Sequence, residues 1–282
     1  MAVGGTGGSL GGAGTVYWEG PGTADKELRL EGIGSATGLT PLGALNADRL
    51  VFANAAASIE TNISISKIAL TNATVSFLGT VTAENISLDG TSTVTHAACT
   101  TNSECRLDLV VSNMFSISSS SAIDVSGRGY LAGRTLDNMT NGASVNYAGG
   151  SHGGLGGGSS PNIVYGDYRE PFNLGAGGAG SYASAGGGCV KIQAGTVELV
   201  GAIRADGGPR PGNTSGGGAG GSIWIETETL SGSGVVSACG GTGMYGGGGG
   251  GGRMALYYEA LDGFDLTNNL VTSGGTGSAN GS

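Results

Sequence analysis

Two histidines, His96 and His152, are the only imidazoles in the chain, and His152 lies in GGSHGG. A general base carried on a glycine loop is one reading, and a structural loop histidine is the favoured one. The densest charged cluster is Asp167, Arg169 and Glu170 in YGDYREP. Carboxylates gathered on one face can do acid–base work on polysaccharides or bind calcium. Here turn-forming Gly and Pro flank them, which points to a salt-bridged loop instead. The glycine tracts lack the Asp of a GGxGxD calcium repeat, and no GK[ST] follows them to make a phosphate loop. No catalytic residue, metal ligand or cofactor is therefore expected, and an enzyme acting on polysaccharides ranks third among the functional readings.

Four cysteines leave redox chemistry open. Cys99 and Cys105, in CTTNSEC, have a spacing that permits a small local disulfide without demanding one. Cys189 precedes one strand-like stretch and Cys239 follows another. They are expected at the same edge of the fold, either stapled together or as two buried thiols. No CxxC or Cys/His cluster suggests structural zinc. Six N-x-S/T triplets begin at Asn62, Asn72, Asn85, Asn138, Asn213 and Asn280, candidate glycan carriers if the source is eukaryotic and secretory. Tyr17, Trp18, Trp224, Tyr257 and Tyr258 fall in strand-like stretches. They are expected to stack between successive layers, with an exposed platform for carbohydrate as the alternative.

The backbone that must position these groups is unusual. Glycine supplies 61 of 282 residues, against an ordinary share of ~7%. Charged residues make up 12% and hydrophobic ones 38%, enough apolar material for a core. The net charge of -9, with twelve scattered basic residues, excludes a phosphate-tracking surface and hence nucleic acid. No apolar run reaches the roughly 18 residues of a membrane helix, so no membrane insertion is expected. The opening MAVGGTGGSL lacks the basic and apolar segments of a signal peptide, so export is expected to depend on sequence outside this chain.

Three segments share one pattern of glycines, alternating strand, turn, short strand and glycines. They begin at Gly186, Ala219 and Gly250, and the aligned Cys189, Ser222 and Arg253 recur at intervals of 33 and 31 residues. Ala205 and Ala238 also align. Apolar residues from Ile63 to Val94 alternate in the same manner without the glycines. Ile123 and Val125 take the places of Ile203 and Ala205. Repeats of this size, built from short strands and glycine turns, predict an all-β, single-stranded, right-handed parallel β-helix (β-solenoid) forming one domain over 1–282. Glycine-rich loops are expected along its half from about 134 to 282. Because the glycine runs recur at one phase of the repeat, they are expected to be ordered by backbone pairing, as tight corners or as packed extended strands.

The phrases SGRGYLAG, GGSHGGLGG and VYGDYREPFNLGAGG, with the closing GGGGGGRMALYY, resemble glycine-rich β-helix modules of very large secreted or cell-surface proteins of bacteria and protists. The resemblance covers most of the chain after about Leu107, and GGAGTVYWEG is similar to the end of a preceding module. It implies an extracellular or surface-exposed structural role and carries over no catalytic residues. The chain also opens on the glycine-to-strand step that would follow its own last residues, an arrangement expected of a subunit stacking head to tail on copies of itself. The role expected from all this is a structural subunit of an extracellular fibre, stalk or sheath. A surface adhesin holding glycans, by glycine-loop tips or exposed aromatics, is the alternative.

Overall fold

The structure, a computed structural model, describes residues 11–20, 26–32, 38–208, 215–278 and 281. Asn213 and Asn280 lie outside them. Strands alternate in length along the chain. Nine form one sheet: β1 (Thr15–Trp18), β2 (Glu27–Glu31), β4 (Arg49–Ala53), β6 (Ile63–Thr71), β8 (Val81–Asp89), β10 (Leu107–Ile117), β12 (Cys189–Leu199), β14 (Ser222–Ser231) and β16 (Arg253–Asp262), side by side in that order. Eight shorter ones form a second sheet: β3 (Leu39–Leu42), β5 (Ala56–Ile59), β7 (Thr74–Phe77), β9 (Thr93–His96), β11 (Ala122–Asp124), β13 (Ala202–Arg204), β15 (Val235–Ser237) and β17 (Leu270–Val271).

This corrects the fold expected from the sequence. In place of a single-stranded parallel β-helix, the described residues build two sheets, and the nine-stranded one is mixed because β1 runs antiparallel to β2, with Thr15 opposite Leu30 and Trp18 opposite Glu27. Only residues 19–26 join β1 to β2, a connection long enough to reverse the chain and too short for a parallel crossover. The remaining pairs in both sheets are parallel.

Alternation along each strand turns one set of side chains into the space between the sheets. Register aligns them into columns: Leu50, Ile68, Ile86, Phe115, Val197 and Leu230 are paired in succession across the longer strands, and all are buried in one continuous core. Val75, Val94, Ile123, Ile203 and Val236 form the facing column. The aligned Cys189, Ser222 and Arg253 are register partners. The first half has a shorter repeat that this alignment does not contain: Arg49 pairs with Lys67 and Val51 with Ala69, then Ile63 with Val81, all 18 residues apart. Its turns are fixed by left-handed residues at the same interval, Asn54 (φ 49), Asn72 (φ 50) and Gly90 (φ 64). Asparagine and glycine tolerate that conformation best.

Connections back to the nine-stranded sheet are short in the first half and long in the second, spanning residues 125–188, 205–221 and 238–252. These carry the glycine tracts, which form neither hairpin loops nor strands. Their hydrogen bonds repeat every third residue. Gly217 and Gly220 donate to Gly247 and Gly250, Gly247 and Gly250 donate to Tyr147 and Gly150, and Gly216 and Ala219 donate to Ala179 and Ala176. Gly249 and Gly252 likewise donate to Gly241 and Ala238. An extended helix with three residues per turn points successive amides about 120° apart, so each chain bonds several neighbours at once. The result is a bundle of polyglycine helices beside the sheets, buried although almost devoid of side chains.

Candidate functional site

Three exposed tyrosines, Tyr147, Tyr182 and Tyr245, lie on the segments that build this bundle. Residues 145–148 form a tight turn in which Ala148 N–H donates to the Val145 carbonyl (3.1 Å). Both central residues, Asn146 (φ 54) and Tyr147 (φ 59), are left-handed, the signature of a type I′ turn. A buried polar network locks the turn from below. The one Ser144 hydroxyl proton is shared between the Gly149 carbonyl (2.8 Å) and Asn162 Oδ1 (2.9 Å), and Asn162 Oδ1 also accepts from Ser151 N–H (2.7 Å). In the neighbouring chain Tyr245 is also left-handed (φ 54), next to Met244, which exchanges two backbone hydrogen bonds with Ser215. Tyr182 follows Gly180 (φ 119). The three tyrosines are 49%, 72% and 59% exposed. Beside Tyr147 lies a cavity of ≈380 Å³ whose walls include Ala132, Ser144, Asn146 and Gly180 and no Asp, Glu, Lys, Arg or His.

On the outward face of the nine-stranded sheet, residues 164–174 run as a strap. Its backbone carbonyls are held by side chains from three positions on the strands and one just before β10: Tyr165 O by Arg253 Nε (3.0 Å), Arg169 O by the Tyr257 hydroxyl (2.9 Å), Asn173 O by Ser222 Oγ (2.6 Å) and Phe172 O by Arg106 Nε (2.9 Å). The salt-bridged loop expected of Asp167, Arg169 and Glu170 is therefore not what forms. None of the three pairs with another, and Asp167 instead accepts the Arg169 N–H (2.7 Å).

With this geometry in view, no protein family, characterised protein or solved structure matches the chain. Its chemistry is read from its own side chains.

Neither histidine sits on a mobile loop. His96 occupies the apolar column that begins with Ile59 and Phe77. Its Nδ1 bonds the Ala97 carbonyl (2.7 Å) and Nε2 accepts the Cys189 N–H (3.2 Å), which fixes the neutral tautomer with the proton on Nδ1. His152 is fully buried, bonds the Gly220 carbonyl through Nδ1 (2.9 Å) and tilts against Tyr165 at 5.0 Å. Its Nε2 is buried without a protein partner. Burial, with nearby arginines adding to it, holds both imidazoles at about 4. Each imidazole is buried and neutral, and neither hydrogen-bonds the other.

All four cysteines are free thiols. Cys99 and Cys189 lie in a second apolar cluster with Tyr130, Tyr165, Leu174 and Ala176. Cys239 is half-buried elsewhere, bonding the Val271 carbonyl and Ser273. Burial pushes the Cys99 thiol up to about 11 and the Cys189 thiol up to about 12, so Cys189 holds about one thiolate in ten thousand at pH 8. Iodoacetamide at that pH is expected to label Cys239 in the native protein and to leave Cys189 unlabelled until denaturant is added, as read by peptide mapping. Equal labelling rates would contradict the burial of Cys189.

Among the triplet asparagines, Asn62 and Asn72 are exposed in turns while Asn85 and Asn138 are half-buried. Asn138 spends its amide nitrogen on the Thr100 carbonyl (2.9 Å), the atom a glycan would need. Tyr17, Trp18, Tyr257 and Tyr258 are exposed, and Trp224 lies under Lys191 with Nζ 4.1 Å from the ring centre. Stacking between successive strands, expected from the sequence, does not occur among the described residues, where the ring contact is His152 with Tyr165. Tyr147, Tyr182 and Tyr245 were not anticipated. Their signal is an aromatic set beside a run of glycines, as in NYAGG and GMYGG.

Proposed function

We propose that the chain is a structural module of an extracellular fibre, stalk or sheath, joined axially to further copies of itself. The observation that carries this reading is the core column along the nine-stranded sheet. It runs buried from Leu50 to Leu230, and its next register partner, Leu261 on β16, is 39% exposed. Beyond β16 no strand lies among the described residues, so ten residues of main chain offer an open edge alongside exposed Tyr257 and Tyr258. Such edges template association. A head-to-tail joint sets β16 of one copy against β1 of the next, an antiparallel pair. Further support comes from the likeness of its glycine-rich phrases to those of large surface proteins, and from cohesion carried by repeated main-chain bonds.

Sedimentation velocity and electron microscopy test this. End-to-end oligomers or filaments are expected to grow with concentration, and Leu261→Lys, which plants a charge in the column, is expected to suppress them. A species that stays monomeric at millimolar concentration sinks the reading.

A further inference from the structure

We propose that the part of the polyglycine bundle carrying Tyr147 and Tyr245 is a binding site for a neutral saccharide. The inference starts from Tyr147. A type I′ turn ordinarily places Asn-Gly at its centre, since both residues need positive φ. Here Asn146 is well suited, and Tyr147 at φ 59 stands where glycine belongs. A bulky side chain in that region is strained, and strain of this kind persists where surrounding structure enforces it and a function uses it. The network of Ser144, Ser151 and Asn162 does the enforcing. In a chain with 61 glycines, a tyrosine kept at such a position serves its ring and not its backbone.

The same choice is made a second time. Tyr245 has φ 54 and is flanked by glycine-rich sequence. Its neighbour Gly246 approaches the Tyr147 and Ser215 carbonyls so closely that a Cβ there would stand 2.6 Å from each. Two left-handed tyrosines therefore sit on adjacent chains of the bundle, and Tyr182 is two residues along the chain from Gly180, which lines the cavity beside Tyr147. All three side chains are exposed, and no ring contact joins them to one another. An exposed aromatic face packs on the C–H face of a pyranose, and its hydroxyl bonds the ring oxygens and hydroxyls. The cavity beside Tyr147, at ≈380 Å³, falls in the size range of small-ligand sites.

The lining selects the ligand class. Walls of alanine, glycine, valine, serine, asparagine and tyrosine offer hydrogen bonds and apolar contact and no formal charge. An anionic or cationic ligand would be desolvated there without a counter-charge, whereas a neutral sugar would not. The site is independent of axial assembly, because it lies on the bundle and not on β16.

The test titrates the full chain with cello-, xylo- and manno-hexaose, with hexagalacturonate as the acidic comparison, followed by tyrosine-ring NMR shifts and calorimetry. Saturable binding of at least one neutral hexaose, and weaker or no binding of the acidic one, is expected. Tyr147→Gly and Tyr245→Gly are the informative variants, because glycine suits positive φ. Each is expected to melt at a higher temperature than the parent while weakening the sugar by about tenfold. Tyr182→Ala is expected to weaken it without the rise in melting temperature. The proposal is overturned if no neutral hexaose binds at millimolar concentration, if the acidic one binds best, or if the glycine variants bind as well as the parent. A lowered melting temperature in both glycine variants would also overturn it, by removing the strain on which it stands.

Discussion

Replacing Gly247 by alanine is expected to destabilise the fold by about 3 kcal/mol or more, although the substitution adds one methyl group to a residue usually considered expendable. Gly247 donates to the Tyr147 carbonyl and accepts from Gly217 N–H, and its third side, where a Cβ would stand, is filled by the Gly157 carbonyl oxygen. Gly217 repeats the arrangement: it donates to Gly247, accepts from Gly150, and faces Gly241 O where its Cβ would be. The obstructing atoms are backbone, themselves bonded to further chains, so none can yield without breaking a hydrogen bond. Gly43→Ala is the internal control. Nothing lies within 4 Å of its Cβ position, so the loss of unfolded-state freedom is expected to stabilise by about 0.4–1 kcal/mol. Urea unfolding of the two variants measures the contrast. A Gly247→Ala protein as stable as the parent would mean that the glycine tracts are not packed chain against chain.

Acid is expected to unfold the protein well before its carboxylates are exhausted, and His96 and His152 are the cause. An imidazole ordinarily titrates near 6.5, and burial holds both at about 4 in the fold. Between these values the unfolded chain binds the proton and the native one does not, so stability is full above pH 6.5, falls as the pH drops, and levels off below 4. At 1.36 kcal/mol per pH unit, each histidine withdraws about 3 kcal/mol across that window. Two together remove a large part of an ordinary domain's stability. Protonating His96 also removes the acceptor of the Cys189 N–H at the start of β12, and protonating His152 sets a second charge near Arg253. Denaturation midpoints at pH 7.5, 5.5 and 4 should fall steeply. His96→Gln and His152→Gln should each remove about half of that slope, even if both lower stability at neutral pH. A flat profile in the parent protein would show that the imidazoles are hydrated.

Much of the architecture was legible where side chains carry a pattern. Alternation identified Ile63, Ile65, Ile68, Leu70, Val75, Phe77, Val81, Ile86, Leu88 and Val94 as strand residues, and all are buried. The alignment of Cys189, Ser222 and Arg253 matches the pairing of β12, β14 and β16. Where side chains are absent, the pattern vanishes with them. A three-residue hydrogen-bond period among glycines leaves no trace in residue type, so packed polyglycine was one of two expected forms and its register was unreadable. The 18-residue repeat hides because its marker is only one residue per turn and changes letter, Asn at 54 and 72 and Gly at 90, while the conformational preference stays. The reversal of β1 depends on what pairs with TVYW, which no local signal in four residues can specify. The structural role favoured for the histidines holds for His96, but its place in a core column was hidden, because it lies 19 residues after Phe77, one beyond the 18-residue interval that sets Phe77 after Ile59.

The bundle also bears on how the molecule should respond to heat and cold. Exposing apolar surface raises the heat capacity of unfolding and exposing peptide groups lowers it. The glycine layer, on melting, wets amides and little hydrocarbon, so its contribution to that quantity is small or negative. A chain with so much of its interior made of main chain should therefore have a shallow, wide free-energy curve against temperature, holding its shape over a range in which a side-chain core of equal length would already be losing ground at both extremes.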